Sequence, residues 1–129
     1  MANLSAALRT SRANAVNTAI GAGAQIEFRT GTMPATPETA ASGTLLGTCV
    51  GGSPFGVVSG NTLTANAITQ DAEADASGTA GYVRIKTSGG TAVMDLTVGT
   101  SGAEVIMNST AVIAGGPIVF NSLTISEAV

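Results

Sequence analysis

The chain has no histidine and no tryptophan, a single cysteine and a single tyrosine, and only 10% charged residues. Each absence removes a class of function. Histidine is the usual supplier of a group that changes protonation near neutral pH, so its lack weighs against acid–base catalysis. With no histidine and no Ser-x-x-Lys spacing, the many serines and threonines have no evident base to activate them as nucleophiles. Cys49 has no partner in the chain, so no internal disulfide forms, which fits assembly in a reducing cytoplasm. It reads as a small buried strand residue. No apolar run is long enough for a membrane span. Arg9, Ser11, Arg12 and Asn14 interrupt the N-terminal segment, so no secretory signal is expected.

Charge is scarce and unevenly placed. Arg9 and Arg12 stand in residues 1–26 without an acid, whereas Arg29, Arg84 and Lys86 share the remainder with all eight acids. The net charge of −3 and the lack of a basic stripe exclude nucleic acid and an anionic membrane surface as expected partners. The aromatic residues are Phe28, Phe55, Tyr82 and Phe120. So few large anchors, set against a backbone ordering cost of about 1–2 kcal/mol per residue, make a lone protomer marginal and favour an oligomer or a partner surface.

What is present is Thr, Ser, Gly, Ala, Val and Ile in short alternating runs. One helix is expected, capped by Ser5, running Ala6 to Ile20 and stopped by Gly21 and Gly23. Its modest apolar stripe runs through Leu8, Ser11/Arg12, Ala15/Val16 and Ala19/Ile20. Residues 1–23 are set apart as a helix or arm, and 24–129 as a β domain. Residues 24–29 alternate as a half-buried strand with Glu27 facing out. Pro34 and Pro37 make Thr30 to Gly43 a long loop. Further strands are expected at 44–50, 62–70, 79–86, 91–98, 104–107, 110–114 and 117–126. In the run 79–86, Tyr82 and Arg84 share one face, and Val83 and Ile85 the other. Ser88-Gly89-Gly90 should close a hairpin between 82–87 and 91–97. About eight short strands suggest an all-β sandwich, jelly roll or small barrel.

Several residue groups invite a chemical reading. Asp71, Glu73 and Asp75 alternate as ligands for Ca²⁺ would, but Ala76 stands where an EF-hand loop needs Gly, and Tyr82 where it needs Glu. The cluster reads as a solvated loop or a charged edge that blocks stray strand pairing. Glu27 with Glu104, or Asp95 with Glu127, have no spacing that favours a glycosidase pair. Gly51-Gly52-Ser53 and Gly115-Gly116-Pro117 lack the Gly-Lys-Ser/Thr of a phosphate loop and read as turns. No catalytic residue, metal ligand or cofactor is expected. Arg9 and Arg12 project from one side of the helix, either to solvent or toward acids of a partner.

Three stretches are similar to a group of small tailed-phage virion proteins. They are Ala76–Gly90 (Ala-Ser-Gly-Thr-Ala-Gly-Tyr-Val-Arg-Ile-Lys-Thr-Ser-Gly-Gly), Val98–Ala103, and the closing Ala114–Ile125 (Ala-Gly-Gly-Pro-Ile-Val-Phe-Asn-Ser-Leu-Thr-Ile). Ser11–Gly21 resembles the start of the same group. The resemblance implies a capsid cement, or head-decoration, protein: a jelly-roll-like β-sandwich that binds the outer head surface and bridges major capsid subunits. The expected partners are then the major capsid protein and a second copy of the chain, most simply as a two-fold dimer. The expected place is the outer capsid of a virion assembled in the host cytoplasm. Arg9, Arg12 and the loop residues Met33, Pro34 and Pro37 are the expected docking residues. A carbohydrate- or receptor-binding module of a tail, or a tail structural protein, is the alternative.

Overall fold

The computed structural model describes residues 4–126. Helix α1 (Ala6–Ile20) is followed by β1 (Gln25–Arg29), β2 (Leu45–Val50), β3 (Gly56–Ser59), β4 (Thr62–Ala65), β5 (Gly78–Thr79), β6 (Tyr82–Lys86), β7 (Ala92–Gly99), β8 (Val105–Ile106), β9 (Ala111–Val112) and β10 (Ser122–Ser126). Eight of the strands form one curled sheet in the order β2-β1-β6-β7-β8-β10-β4-β3, and β5 pairs with β9 separately. The protein is thus mostly β with one short helix.

The sheet curls because one of its faces must enclose the core. Ile26, Phe28, Val83, Ile85 and Leu96 from one half are buried together with Val105, Leu123, Ile125 and Leu63 from the other. Phe28 meets Phe120 across this core with ring centroids 5.5 Å apart. Each such buried side chain contributes roughly 1.5–3 kcal/mol. Register explains the alternation: Ile26 stands opposite both Cys49 and Ile85, and Phe28 opposite Val83.

All ladder pairs are antiparallel except β7 with β8, where Val98 stands beside Val105. Parallel neighbours ordinarily need a long crossover. Here residues 100–104 loop out and return at once, held by Glu104, whose Oε1 accepts from the Thr97 N–H at 2.8 Å and the Thr97 hydroxyl at 2.7 Å. The expected hairpin across 88–90 is present, with β6 and β7 paired and Gly90 at φ 92°.

The helix has the expected limits. Ser5 Oγ accepts from the Leu8 N–H, and Gly21 ends the helix at φ 74°, where a Cβ is disfavoured. Its buried face matches the expected stripe at Val16 and Ile20 but departs from it toward the N-terminus. Ala13 and Ile20 are buried with Val16 packed beside them, whereas Leu8 is 46% exposed. Backbone hydrogen bonding selects this face. Asn17 donates from Nδ2 to the Gly56 carbonyl at 3.0 Å and accepts the Gly56 N–H at Oδ1 at 3.1 Å. Thr10 Oγ1 donates to the Gly60 carbonyl at 2.7 Å. The helix therefore lies along the outer edge of β3, and the Asn17 amide stands in for a neighbouring strand at Gly56.

The opposite edge, β2, is covered as well. Val50 and Thr69 exchange two backbone hydrogen bonds, Asp71 Oδ2 accepts from the Thr48 N–H, and the Asp75 N–H donates to the Leu46 carbonyl. Both ends of the sheet are thus covered at these positions, which blunts strand-to-strand aggregation.

Several strand expectations need correction. The run 62–70 is strand only over Thr62–Ala65, with an isolated bridge at Thr69, and 104–107 and 110–114 shrink to Val105–Ile106 and Ala111–Val112. Gly56–Ser59 forms β3, where no strand was expected; only five residues lie between Pro54 and Gly60, too short a run to show alternation. The run 79–86 breaks into β5 and β6 at Ala80-Gly81, where the Ala80 N–H turns to Thr110 and the Gly81 N–H to Arg29. Of 117–126, only Ser122–Ser126 is strand. Ile118 instead donates its N–H to Asp71 and tucks its side chain into the core.

Candidate functional site

The sheet's second face carries the chain's main concentration of charge. Glu27 on β1, Arg84 on β6 and Asp95 on β7 stand opposite one another in register. Arg84 forms a forked pair with Asp95, Nε to Oδ1 at 2.7 Å and Nη2 to Oδ2 at 3.1 Å. Glu27 is bound from two sides, by Arg29 Nε at 3.1 Å and Lys86 Nζ at 3.0 Å. Three of the chain's five bases are gathered here with two of its eight acids. The side chains of Arg84 and Asp95 are each 4% exposed.

Glu27 is therefore not the outward, solvated residue that the alternation suggested; it is 6% exposed. The cover is the long loop between β1 and β2. Thr39 of that loop accepts from Arg84 Nη1 at 2.8 Å. The Tyr82 hydroxyl donates to the Ser42 carbonyl at 3.0 Å and accepts the Ser42 N–H at 2.9 Å. Two glycines allow the loop to close so tightly. Gly43 sits at φ 69°, and a Cβ there would strike the Thr30 carbonyl. A Cβ at Gly81 would strike the Gly31 carbonyl. The loop is a roof over buried ion pairs, and β6 is buried on both faces as a result.

Electrostatics follow from this geometry. The hydrogen bond to Asp95 holds the Arg84 guanidinium even further above its already high value, against the opposing effect of burial. The partners of the row are other side chains and the loop backbone.

The expected docking residues are dispersed. Met33, Pro34 and Pro37 are half-buried in the roof loop, while Ala35, Thr36 and Glu38 between and beside them are exposed. Arg12 is exposed on α1. Arg9 is half-buried, with Nη1 donating to the Leu4 carbonyl at 2.5 Å. The acidic run does not converge on a common point. Asp71 turns inward, its Oδ2 accepting from Thr48 and its Oδ1 from the Glu73 N–H at 3.1 Å, while Glu73 and Asp75 are exposed. Among the described residues no group of three acids, cysteines or histidines is placed to hold a metal ion. Glu104 is engaged by Thr97, and Asp95 by Arg84, while Glu127 lies outside the described residues. Cys49 is buried, and burial pushes its thiol up.

Two clefts among those on the surface of the described residues stand out. The larger, about 310 Å³, lies where the segments after β4 and before β10 diverge, with Asn66, Ile68, Gln70, Phe120, Asn121 and Ser122 among its lining. The smaller, about 190 Å³, lies between residues 107–112 and 117–119. Exposed apolar side chains are Val57 on β3, Val50 on β2, Leu8 on α1, and Ile113 and Val119 near the smaller cleft. Sequence reasoning singled out neither the ion-pair row nor the larger cleft. The signal for the row was three charged residues on separate strands, which only the pairing register brings together.

In comparison with known proteins, the chain matches no family model, no curated protein and no solved structure.

Proposed function

We propose that this protein is a capsid cement, or head-decoration, protein of a tailed phage, which binds the outer head surface and bridges neighbouring major capsid subunits. The likeness of residues 11–21, 76–90, 98–103 and 114–125 to small virion proteins points to this partner. The jelly-roll-like arrangement that the likeness implies is part of the same proposal.

The observation that carries the reading is the way charge and strand edges are used. The converging ionisable groups are locked in pairs beneath a loop rather than facing a cleft. Both sheet ends are covered, by α1 and by residues 69–75. Such a module meets its neighbours through side-chain surfaces, not through strand exchange. Exposed Leu8 and Arg12 on α1, together with the outer side of the Thr30–Gly43 loop, supply those contacts. Contacts of modest strength suffice when a two-fold dimer engages two capsid subunits at once, because the second attachment is intramolecular.

The test is co-sedimentation of the purified protein with undecorated, expanded heads of the phage that encodes it. Saturable pelleting at a fixed ratio to the major capsid protein supports the reading. Protein that stays in the supernatant at every concentration rules it out.

A further inference from the structure

The larger cleft has a composition that its size and position do not require. Three of the four aromatic residues, Phe28, Phe55 and Tyr82, are fully buried, and the fourth, Phe120, is half-buried and lines this cleft. Around it stand three carboxamides, Asn66, Gln70 and Asn121, and the hydroxyl of Ser122, with no acid or base in the lining. Two of the amides are fixed in orientation. Asn66 Nδ2 donates to the Pro54 carbonyl at 3.1 Å, and Asn121 Nδ2 donates to Asn108 Oδ1 at 2.8 Å. The Phe120 ring is itself steadied by Phe28, tilted 39° to it.

From this arrangement we infer that the cleft is a binding site for a neutral saccharide. A sugar ring offers an apolar face of C–H groups and a rim of hydroxyls that both donate and accept. An aromatic ring meets the first, and carboxamides, which carry a donor and an acceptor on one planar group, meet the second. The lack of charge in the lining disfavours phosphates, nucleotides and cations, whose desolvation would go uncompensated. The volume of about 310 Å³ falls at the small end of small-molecule sites, which suits one sugar unit rather than an extended polymer. The site is made by the fold: β4 and β10 pair from Thr64/Thr124 outward, and beyond that point residue 69 leaves to join β2 while residue 118 leaves to bond Asp71. The inference does not rest on attachment to a capsid.

Saturation-transfer NMR on the isolated protein tests it, with the methyl glycosides of glucose, galactose, mannose and N-acetylglucosamine as probes and glucose 6-phosphate as the charged control. At least one glycoside should show transfer to its ring C–H protons at millimolar concentration, and the phosphate should show weaker transfer. Gln70 is exposed, so Gln70→Ala leaves the fold intact by circular dichroism and weakens binding by roughly threefold to tenfold, as losing one hydrogen bond does. Phe120→Leu, which keeps an apolar filler against Phe28, should reduce transfer to the sugar face further. No transfer from any of the four glycosides, equal binding of the phosphate, or binding unchanged in both variants overturns the proposal.

Discussion

Arg84 and Asp95 face each other across β6 and β7 as a forked ion pair, and the carbonyl of Thr39 closes over the guanidinium. This places a largely buried charge pair near the centre of the sheet, where its two members depend on each other and on the roof loop. Removing one partner leaves an uncompensated buried charge, which is costlier than never having had the pair.

Asp95→Asn is therefore expected to destabilise the protein by about 3–5 kcal/mol, whereas the double change Arg84→Met with Asp95→Leu recovers most of that loss. Urea unfolding followed by far-UV circular dichroism measures both. A single variant as stable as the parent contradicts the burial of the pair.

The roof depends on close backbone approach at two glycines. Gly81→Ala forces the Gly31 carbonyl away and is expected to cost about 1–3 kcal/mol, as overpacking does. Gly43→Ala adds a Cβ at a positive φ as well as a clash with Thr30, so it should be at least as harmful. Hydrogen exchange separates a local effect from a global one: the Ser42 N–H, bound to the Tyr82 hydroxyl, should lose protection first.

Asn17→Ala strips both edge hydrogen bonds from Gly56 and should lower stability by about 1–3 kcal/mol. With the β3 edge uncovered, the variant should also self-associate more than the parent in size-exclusion chromatography. An elution profile identical to the parent's, at unchanged stability, contradicts the edge-covering role of α1.

Burial raises the Cys49 thiol, so the folded state keeps its proton at a pH where the unfolded chain has lost it. The contribution is fully present below the unfolded value, near pH 9, and is lost as the pH rises through the folded one. Stability should thus fall above about pH 9 more steeply in the parent than in Cys49→Ala. Denaturant midpoints of the two proteins from pH 8 to 10.5 give the comparison. The native thiol should also resist labelling by a thiol reagent until the chain unfolds.

Local signals in the sequence located much of this fold. Ser5 and Gly21 bound the helix as a cap and a stop should, and Gly90 closes the β6–β7 hairpin where the turn residues indicated. Long-range register was not legible. Alternation correctly separated Tyr82 and Arg84 from Val83 and Ile85, but it could not say that both faces would be covered, since the cover comes from a loop whose proline content reads only as irregular. The helix face was legible at Val16 and Ile20 but not at Leu8 and Ala13, for a related reason: Asn17 and Thr10 dock by bonding to backbone at Gly56 and Gly60, and backbone partners leave no hydrophobic period. The cleft around Phe120 was likewise hidden, because its lining comes from two segments some fifty residues apart that meet only where β4 and β10 diverge.

Whether this protein holds a head together is read most directly from the temperature at which filled, undecorated heads release their DNA, followed by a dye that brightens on access to it. Adding the protein at saturation should raise that temperature, and heads carrying it should stay closed where bare ones empty. An unchanged release temperature on heads with the protein bound would contradict a cementing role.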